Sequence, residues 1–314
     1  MKIYFAPLEG ITDSVYRRVH RKYFSGVDKY FTPFFSPTIH RALTPKEARE
    51  LPPADSLDAF VVPQILTKNA EDFIWFASKC GELGYKEVNL NLGCPSGTVF
   101  SKGKGSGMLR DLDALDRFLE DIYTDAPLPV SIKTRIGVES PEEFPTLLTV
   151  FNRYPIFELI VHPRVRTQLY KGKPDMAVFH YCTENAVSSL CYNGDLCSNR
   201  DIDAFSKSFP DCNSVMIGRG LIADPGMVCQ APVTRQQLQN FVEELTDTYV
   251  EVFGSERNTM FRMKENWFYL LHKFDDSERL GKRLRKTTDL QEYRAITREI
   301  FETLPMRAEI DPNL

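Results

Sequence analysis

The stretch EVNLNLGCPSGTVFSKGKGSGMLRDLDALDRFLEDI, residues 87–122, holds a short apolar run, a loop and an amphipathic segment in succession. EVNLNLG (87–93) is a strand candidate, and Leu112 to Ile122 places apolar residues at 112, 115, 118, 119 and 122, the spacing of one helix face. One such pair is a βα unit. Seven further runs of the same kind lie along the chain: IYFAP (3–7), KYFTPF (29–34), FVVPQIL (60–66), PVSIKTR (129–135), ELIVHPR (158–164), SSLCYNG (188–194) and SVMIGRG (214–220). A helix from Ala70 to Leu83, with Phe73, Phe76, Ala77 and Cys80 on one face, follows the third run. Eight strands alternating with helices predict a (β/α)₈ TIM barrel, class α/β. The connection 36–58 fits the pattern worst and is expected to be irregular.

DPGMVCQAPVT (224–234) breaks the alternation with two prolines and a glycine, and from Gln236 onward the periodicity is purely helical. The boundary is therefore placed at 234/235, giving a barrel over 1–234 and a helical domain of two to four helices over 235–314. At 314 residues, 42% hydrophobic and 26% charged, the chain is long enough for both and is neither fibrous nor disordered. Its seven cysteines include no C-x-x-C pair, so no zinc ribbon or thioredoxin-type centre is written in it, and no metal is assigned. The opening apolar run is too short for a signal peptide, and no run reaches the ~18 apolar residues of a membrane span. A cytoplasmic protein without membrane contact is expected, and no obligate protein partner is evident.

A barrel builds its site at the C-terminal ends of its strands. The runs end in Pro7, Gln64, Asn91 with Cys94, Lys133, His162, Asn193-Gly194-Asp195 and Gly218-Arg219-Gly220. Nearly every strand ends in a polar or reactive residue. The last two clusters follow strands seven and eight, where barrels often hold a phosphate on backbone N–H groups, and Arg219 can fork onto phosphate oxygens. The loop after Asn91 is not a Walker loop: Gly97 to Gly103 is one residue too long, and Gly105 stands where Ser or Thr is required.

APLEGITD (6–13), the glutamine of VPQI, NLGCP (91–95) with its glycine-rich tail, SIKTR, VHPR, NGD and IGRG together resemble the tRNA-dihydrouridine synthases, flavin-dependent barrel enzymes with a helical C-terminal domain. The resemblance spans essentially the whole chain, with GCP and the loop after it as its most specific part. Pro163 stands where a glycine is frequent, and Met108 where a small residue is. The resemblance implies FMN across the barrel mouth, its phosphate on Asn193, Gly194, Asp195, Gly218 and Arg219. Pro7, Leu8 and Glu9 would line one side of it, Gln64 would hydrogen-bond the ring, and Lys133, assisted by His162, would put positive charge at its N1/O2 edge. NADPH as electron source rests on the resemblance alone, since no dinucleotide fingerprint is present.

The implied reaction delivers hydride to carbon 6 of a uridine and a proton to carbon 5, with Cys94 as the acid. A thiol of ordinary pKa, about 8.5, is mostly protonated near neutrality and can give up its proton as charge builds on the ring. Asn91 and Arg164 would face the substrate. A stacked uridine must be extruded to react. Gly103, Gly105 and Gly107 are therefore read as hinges of a lid over residues 101–106 whose Lys102 and Lys104 meet phosphates. From Arg257 to Arg298 eleven Lys and Arg face six acidic residues, a net +5 in a chain of net −4. Arg283, Arg285 and Lys286 mark its peak and are expected to hold tRNA, whereas Trp267, Phe268 and Leu271 are expected in that domain's core. Three other readings stay open at this stage: an FMN barrel oxidoreductase acting on a free pyrimidine, an aldolase using Lys133, and a non-catalytic RNA-binding protein.

Overall fold

The computed structural model describes residues 1–38, 40–54 and 60–310, so the parts of the 36–58 connection at 39 and 55–58 lie outside the described residues. All eight apolar runs form strands, and every strand pairing is parallel. The third run is split, so nine strands result: β1 (Lys2–Phe5), β2 (Lys29–Phe31), β3 (Val61–Val62), β4 (Gln64–Ile65), β5 (Val88–Leu92), β6 (Val130–Arg135), β7 (Leu159–His162), β8 (Leu190–Asn193) and β9 (Ser214–Ile217). Their order in the sheet is β3-β2-β1-β9-β8-β7-β6-β5-β4. The two end strands are the halves of one run, parted by Pro63, which lacks an N–H and so interrupts the ladder. The sheet thereby comes round on itself as a barrel. Thr32 spans the interruption: its N–H donates to Val62 O at 3.1 Å and its hydroxyl accepts from Gln64 N at 2.9 Å.

Helices Ala70–Glu82 and Leu112–Asp125 follow β4 and β5 and bury the faces that the spacing predicts, Phe73, Phe76, Ala77 and Cys80 in one and Leu115, Phe118, Leu119 and Ile122 in the other. Each starts at a side-chain cap, Asn69 accepting from Asp72 N and Asp111 from Ala114 N. The described part of the 36–58 connection includes a short helix, Pro45–Glu50, opened by a Thr44/Glu47 capping box.

The chain compacts into two units, Met1–Pro7 with Asp28–Asp195 and Ala204–Met216, and Leu8–Val27 with Leu196–Asp203 and Ile217–Leu314. The second holds four C-terminal helices, Arg235–Phe253, Glu256–Leu270, Glu278–Lys286 and Leu290–Thr303. It also takes in the helix Ser14–Tyr23, whose Tyr16 and His20 meet Phe241 edge to face. Packing therefore runs across position 234, where the sequence places a change of function. Trp267 lies fully in the core of this unit, its indole N–H donating to Tyr293 Oη at 2.9 Å, and Leu271 is buried. Phe268 departs from expectation: it is 61% exposed, because the buried stripe of its helix runs through Met260, Met263, Trp267 and Leu270 and turns position 268 away.

In the first unit a directed chain of hydrogen bonds crosses the barrel interior. Asn91 Nδ2 donates to Gln64 Oε1 at 2.8 Å, Gln64 Nε2 to Asn89 Oδ1 at 2.8 Å, Asn89 Nδ2 to Ser131 Oγ at 2.9 Å, and Ser131 Oγ to Glu87 Oε1 at 2.6 Å. Lys29 Nζ closes it on Glu87 Oε2 at 2.6 Å and stands 3.8 Å from Glu158 Oε2, outside hydrogen-bond range. The other Glu158 oxygen accepts from Tyr4 Oη at 3.0 Å and Ser214 Oγ at 2.9 Å. Burial raises the Glu158 pKa, and Lys29 opposes that rise.

Replacing Lys29 by Met is expected to leave two buried carboxylates without their cation. Breaking such a pair costs about 3–5 kcal/mol, and the part-exposed Lys29 places this loss near the lower end. A raised folded pKa means that stability falls as pH climbs from the unfolded carboxyl pKa through the folded one. The variant should therefore lose more stability at pH 8 than at pH 5. Urea melts at both values check this, and equal losses would refute it.

Candidate active site

Cys94 follows β5 and is held through its backbone. Asn91 Oδ1 accepts from Cys94 N at 2.9 Å and from Gly93 N at 3.0 Å, while the Cys94 carbonyl accepts from Ser106 Oγ at 2.7 Å and Ser106 N at 3.2 Å. The Asn91 oxygen is turned to the backbone because its nitrogen must donate to Gln64, whose own polarity is fixed through Asn89 and Ser131 by the acceptor-only carboxylate of Glu87. The carboxylate at the far end of the chain thus sets which way the amide beside the cysteine faces.

In the glycine-rich segment, expected as a lid over 101–106, Gly105 and Ser106 are buried while Ser101 and Lys102 are exposed. Gly97–Ser101 is helical, Gly105–Arg110 is a 3₁₀ turn, and residues 105–109 are buried. Its glycines serve close approach: a Cβ at Gly107 would stand 2.7 Å from Phe100 O, and at Gly105, with φ +56°, one would stand 3.0 Å from Cys94 Cβ. Two guanidiniums lie over Phe100, Arg166 at 3.8 Å and Arg110 at 4.4 Å from the ring centroid. This stack fastens the segment carrying Cys94 to the turn after β7.

Lys133 and Arg135 alternate on β6 and so point to the same side of the strand. Arg135 is buried, Nε donating to Gly93 O at 3.1 Å and Nη1 to Val165 O at 3.1 Å, with Tyr170 5.7 Å from its guanidinium. Lys133 has neither an ion-pair nor a hydrogen-bond partner among the described residues. Desolvation, with Arg135 adding repulsion, pushes its ammonium down to about 8. An ammonium held here without an acceptor suits an electron-rich ligand edge, which is the chemistry a flavin ring offers.

His162, at the end of β7, receives Arg164 Nη1 on its Nε2 at 3.1 Å. A guanidinium can only donate, so Nε2 is an acceptor and the proton of the neutral ring lies on Nδ1. Arg164 is 1% exposed and forks onto Asp195, Nη1 to Oδ1 at 3.0 Å and Nη2 to Oδ2, while Nη2 also donates to Gly172 O at 2.5 Å. Arg164 and Asp195, expected to meet substrate and cofactor, here bind each other and orient His162. Asn193, its Nδ2 on Met216 O at 2.8 Å, ends β8 with Gly194 directly after it, and Pro7 follows β1.

Lys102 is exposed, and Lys104 bonds Ser36 Oγ at 3.1 Å. The Lys104 pKa is lowered by desolvation and by Lys102 and Lys68. Lys68 is a third member of this cationic cluster that strand-end reasoning missed. Arg135 was missed as well, although its place two residues beyond Lys133 on one strand marks it. The remaining candidates belong to the second unit. Leu8 N donates to Thr12 Oγ1 at 2.8 Å, Glu9 is exposed, and Gly218 precedes the short helix Arg219–Ala223. Arg283, Arg285 and Lys286 are exposed on Glu278–Lys286, with Arg283 Nη1 on Glu299 Oε2 at 2.6 Å.

A probable tRNA-dihydrouridine synthase of Rickettsia bellii is 27% identical over 285 residues, covering 85% of each chain. The tRNA-dihydrouridine(16) synthase of Shigella flexneri is 26% identical over 238 residues, 72% of this chain and 74% of that one. A morphinone reductase variant shares the barrel fold alone, with TM-score 0.51, 9% identity, and coverage of 72% of this chain and 85% of that one. The model of the dihydrouridine synthase family matches residues 4–304, and the chain that sets Cys94 beside Lys133 and Arg135 belongs to that family.

Proposed function

We propose that the reaction of this family, reduction of uridine to 5,6-dihydrouridine, is carried out here on tRNA in the cytoplasm, with FMN as resident cofactor, NADPH as its reductant and Cys94 as the acid. The observation that carries the reading is a cysteine fixed by its backbone near an ammonium that has no partner among the described residues. The relatives described above are tRNA-dihydrouridine synthases by name.

When bound, FMN supplies hydride to carbon 6 of the uracil. Cys94 gives its proton to carbon 5 and recovers one from solvent. Asn91, its oxygen occupied by Gly93 N and Cys94 N, has one N–H left to donate to a uracil carbonyl. Lys133 would put positive charge against the flavin ring, and Gln64 retains one donor and one lone pair beyond the interior chain. His162, held by Arg164, presents a donor on Nδ1. Lys68, Lys102 and Lys104 meet phosphates beside the flipped nucleotide. Residues 1–234 serve catalysis, and residues 235–314 hold the tRNA.

Cys94→Ala is expected to retain FMN and to bind tRNA within a few-fold of wild type while dihydrouridine formation falls ~10²–10⁴-fold, the usual effect of removing a positioned acid. Counting dihydrouridine in treated tRNA checks it, and near-normal turnover would move the proton donor elsewhere.

Lys133 carries a pH signature of its own. Its depressed pKa of about 8 means that the unfolded chain binds the proton more tightly, so the cofactor-free protein should gain stability between pH about 8 and the unfolded lysine value near 10.4. Bound FMN should raise that pKa and remove the gain, and Lys133→Met should remove it in either state. Chemical melts with and without FMN test the assignment: a gain that persists in Lys133→Met would give the titration to another group.

NADPH is expected to bleach the bound flavin faster than NADH does. Stopped-flow absorbance measures this, and equal rates would withdraw the preference for NADPH.

A further inference from the structure

We propose that Phe261 and Phe268 form a stacking surface for unpaired bases of the tRNA, flanked by the cations of the neighbouring helix. The proposal rests on the reading of tRNA as substrate and concerns the second unit alone.

Phe261 is 58% exposed and Phe268 61%, on a helix whose other large apolar side chains Met260, Met263, Trp267 and Leu270 are buried. Seven residues separate the two rings, which is about two turns, so they share one face roughly 10 Å apart. Phe268 meets Tyr269 edge to face at 5.1 Å and Phe261 has Arg257 beside it, yet neither ring is taken into the core.

Two contacts locate the neighbouring helix. Lys264 Nζ bonds Thr287 O at the end of Glu278–Lys286, and Leu271 packs on Gly281. The helices are therefore antiparallel neighbours, and positions 261 and 268 lie on the flank adjoining their contact line through 264 and 271. On the second helix Arg279 and Arg283 turn to Glu299, at 3.1 and 2.6 Å. Lys282, Arg285 and Lys286 are exposed and have no ion-pair partner among the described residues. Arg285 lies one turn beyond Gly281 and so shares the flank that meets the aromatic helix. Arg257 adds a cation 5.6 Å from the Phe261 ring centroid, while Glu265, the acidic residue between the rings, is paired with Arg262 at 3.2 Å.

Exposed aromatic rings set among cations that have no ion-pair partner among the described residues fit single-stranded nucleic acid, with bases on the rings and phosphates on the ammonium and guanidinium groups. A protein interface would favour a contiguous apolar centre with few charges. The loops of tRNA supply splayed, unpaired bases, which is how proteins read RNA beyond its backbone.

The test compares three variants for tRNA affinity against salt. Phe261→Ala with Phe268→Ala is expected to weaken binding about ten- to hundredfold with the salt slope unchanged, since stacking releases no counterions. Its thermal midpoint should stay at the wild-type value because both rings are exposed. Phe261→Tyr with Phe268→Trp should restore affinity. Lys282→Ala, Arg285→Ala and Lys286→Ala together should instead flatten the slope by a little under one unit for each lost phosphate contact. Binding of the double alanine variant within twofold of wild type overturns the proposal and leaves the surface to a protein partner. If that variant binds normally while wild-type protein forms dihydrouridine in tRNA, the stacking surface alone falls. If wild-type protein neither binds tRNA nor modifies it, the functional reading falls and this proposal falls with it.

Discussion

A carboxylate can only accept, and Glu87 imposes that restriction on the barrel interior. Ser131 must donate to it, Asn89 must then donate to Ser131, Gln64 to Asn89 and Asn91 to Gln64. At the far end Asn91 Oδ1 is left to receive the backbone of Gly93 and Cys94. Four amide and hydroxyl side chains that could each be turned either way are locked in one sense, and the lock reaches the acid of the proposed reaction. Gln64, Asn89 and Ser131 are fully buried, where an unmatched donor or acceptor would cost about 1–3 kcal/mol. The same bonds tie β4, β5 and β6 together through their side chains as well as through the ladder.

The site that results is preorganised by packing. The segment after Cys94 is held to Phe100 and the cysteine carbonyl, and the guanidiniums of Arg110 and Arg166 lie over Phe100. Arg164, buried and forked onto Asp195, fixes the tautomer of His162. Arg164 and Asp195, which read as ligand contacts along the sequence, are thereby used to position a neighbour. Lys133 is the exception. It carries a charge that no described residue answers, and an electron-rich ring is what that charge suits.

Charge in the helical unit follows a similar division. Of the basic residues between 257 and 298, Arg262, Lys273, Arg279, Arg283 and Arg294 are each paired with a carboxylate. The net +5 of the segment therefore overstates what a polyanion would meet, and the usable part is narrowed to side chains such as Lys282, Arg285 and Lys286.

The sequence by itself determined the barrel, because each strand is a short apolar run and each helix face repeats at its own period, and both are local properties of the chain. It also determined that Asn91, Cys94 and His162 stand at strand ends, since strand direction alone puts them there, whereas Lys133 falls two residues short of the end of β6. Tertiary structure decided the rest. The polarity of the Asn91 amide, the pairing of Arg164 with Asp195 across 31 residues, and the neutralisation of Arg283 by Glu299 all depend on partners far along the chain. The exposure of Phe268 was decided by one step of helix phase, because Trp267 took the core position beside it. A linear sequence records which groups can donate, accept or stack. Which of them remain available is fixed only when folding brings distant partners within bonding distance.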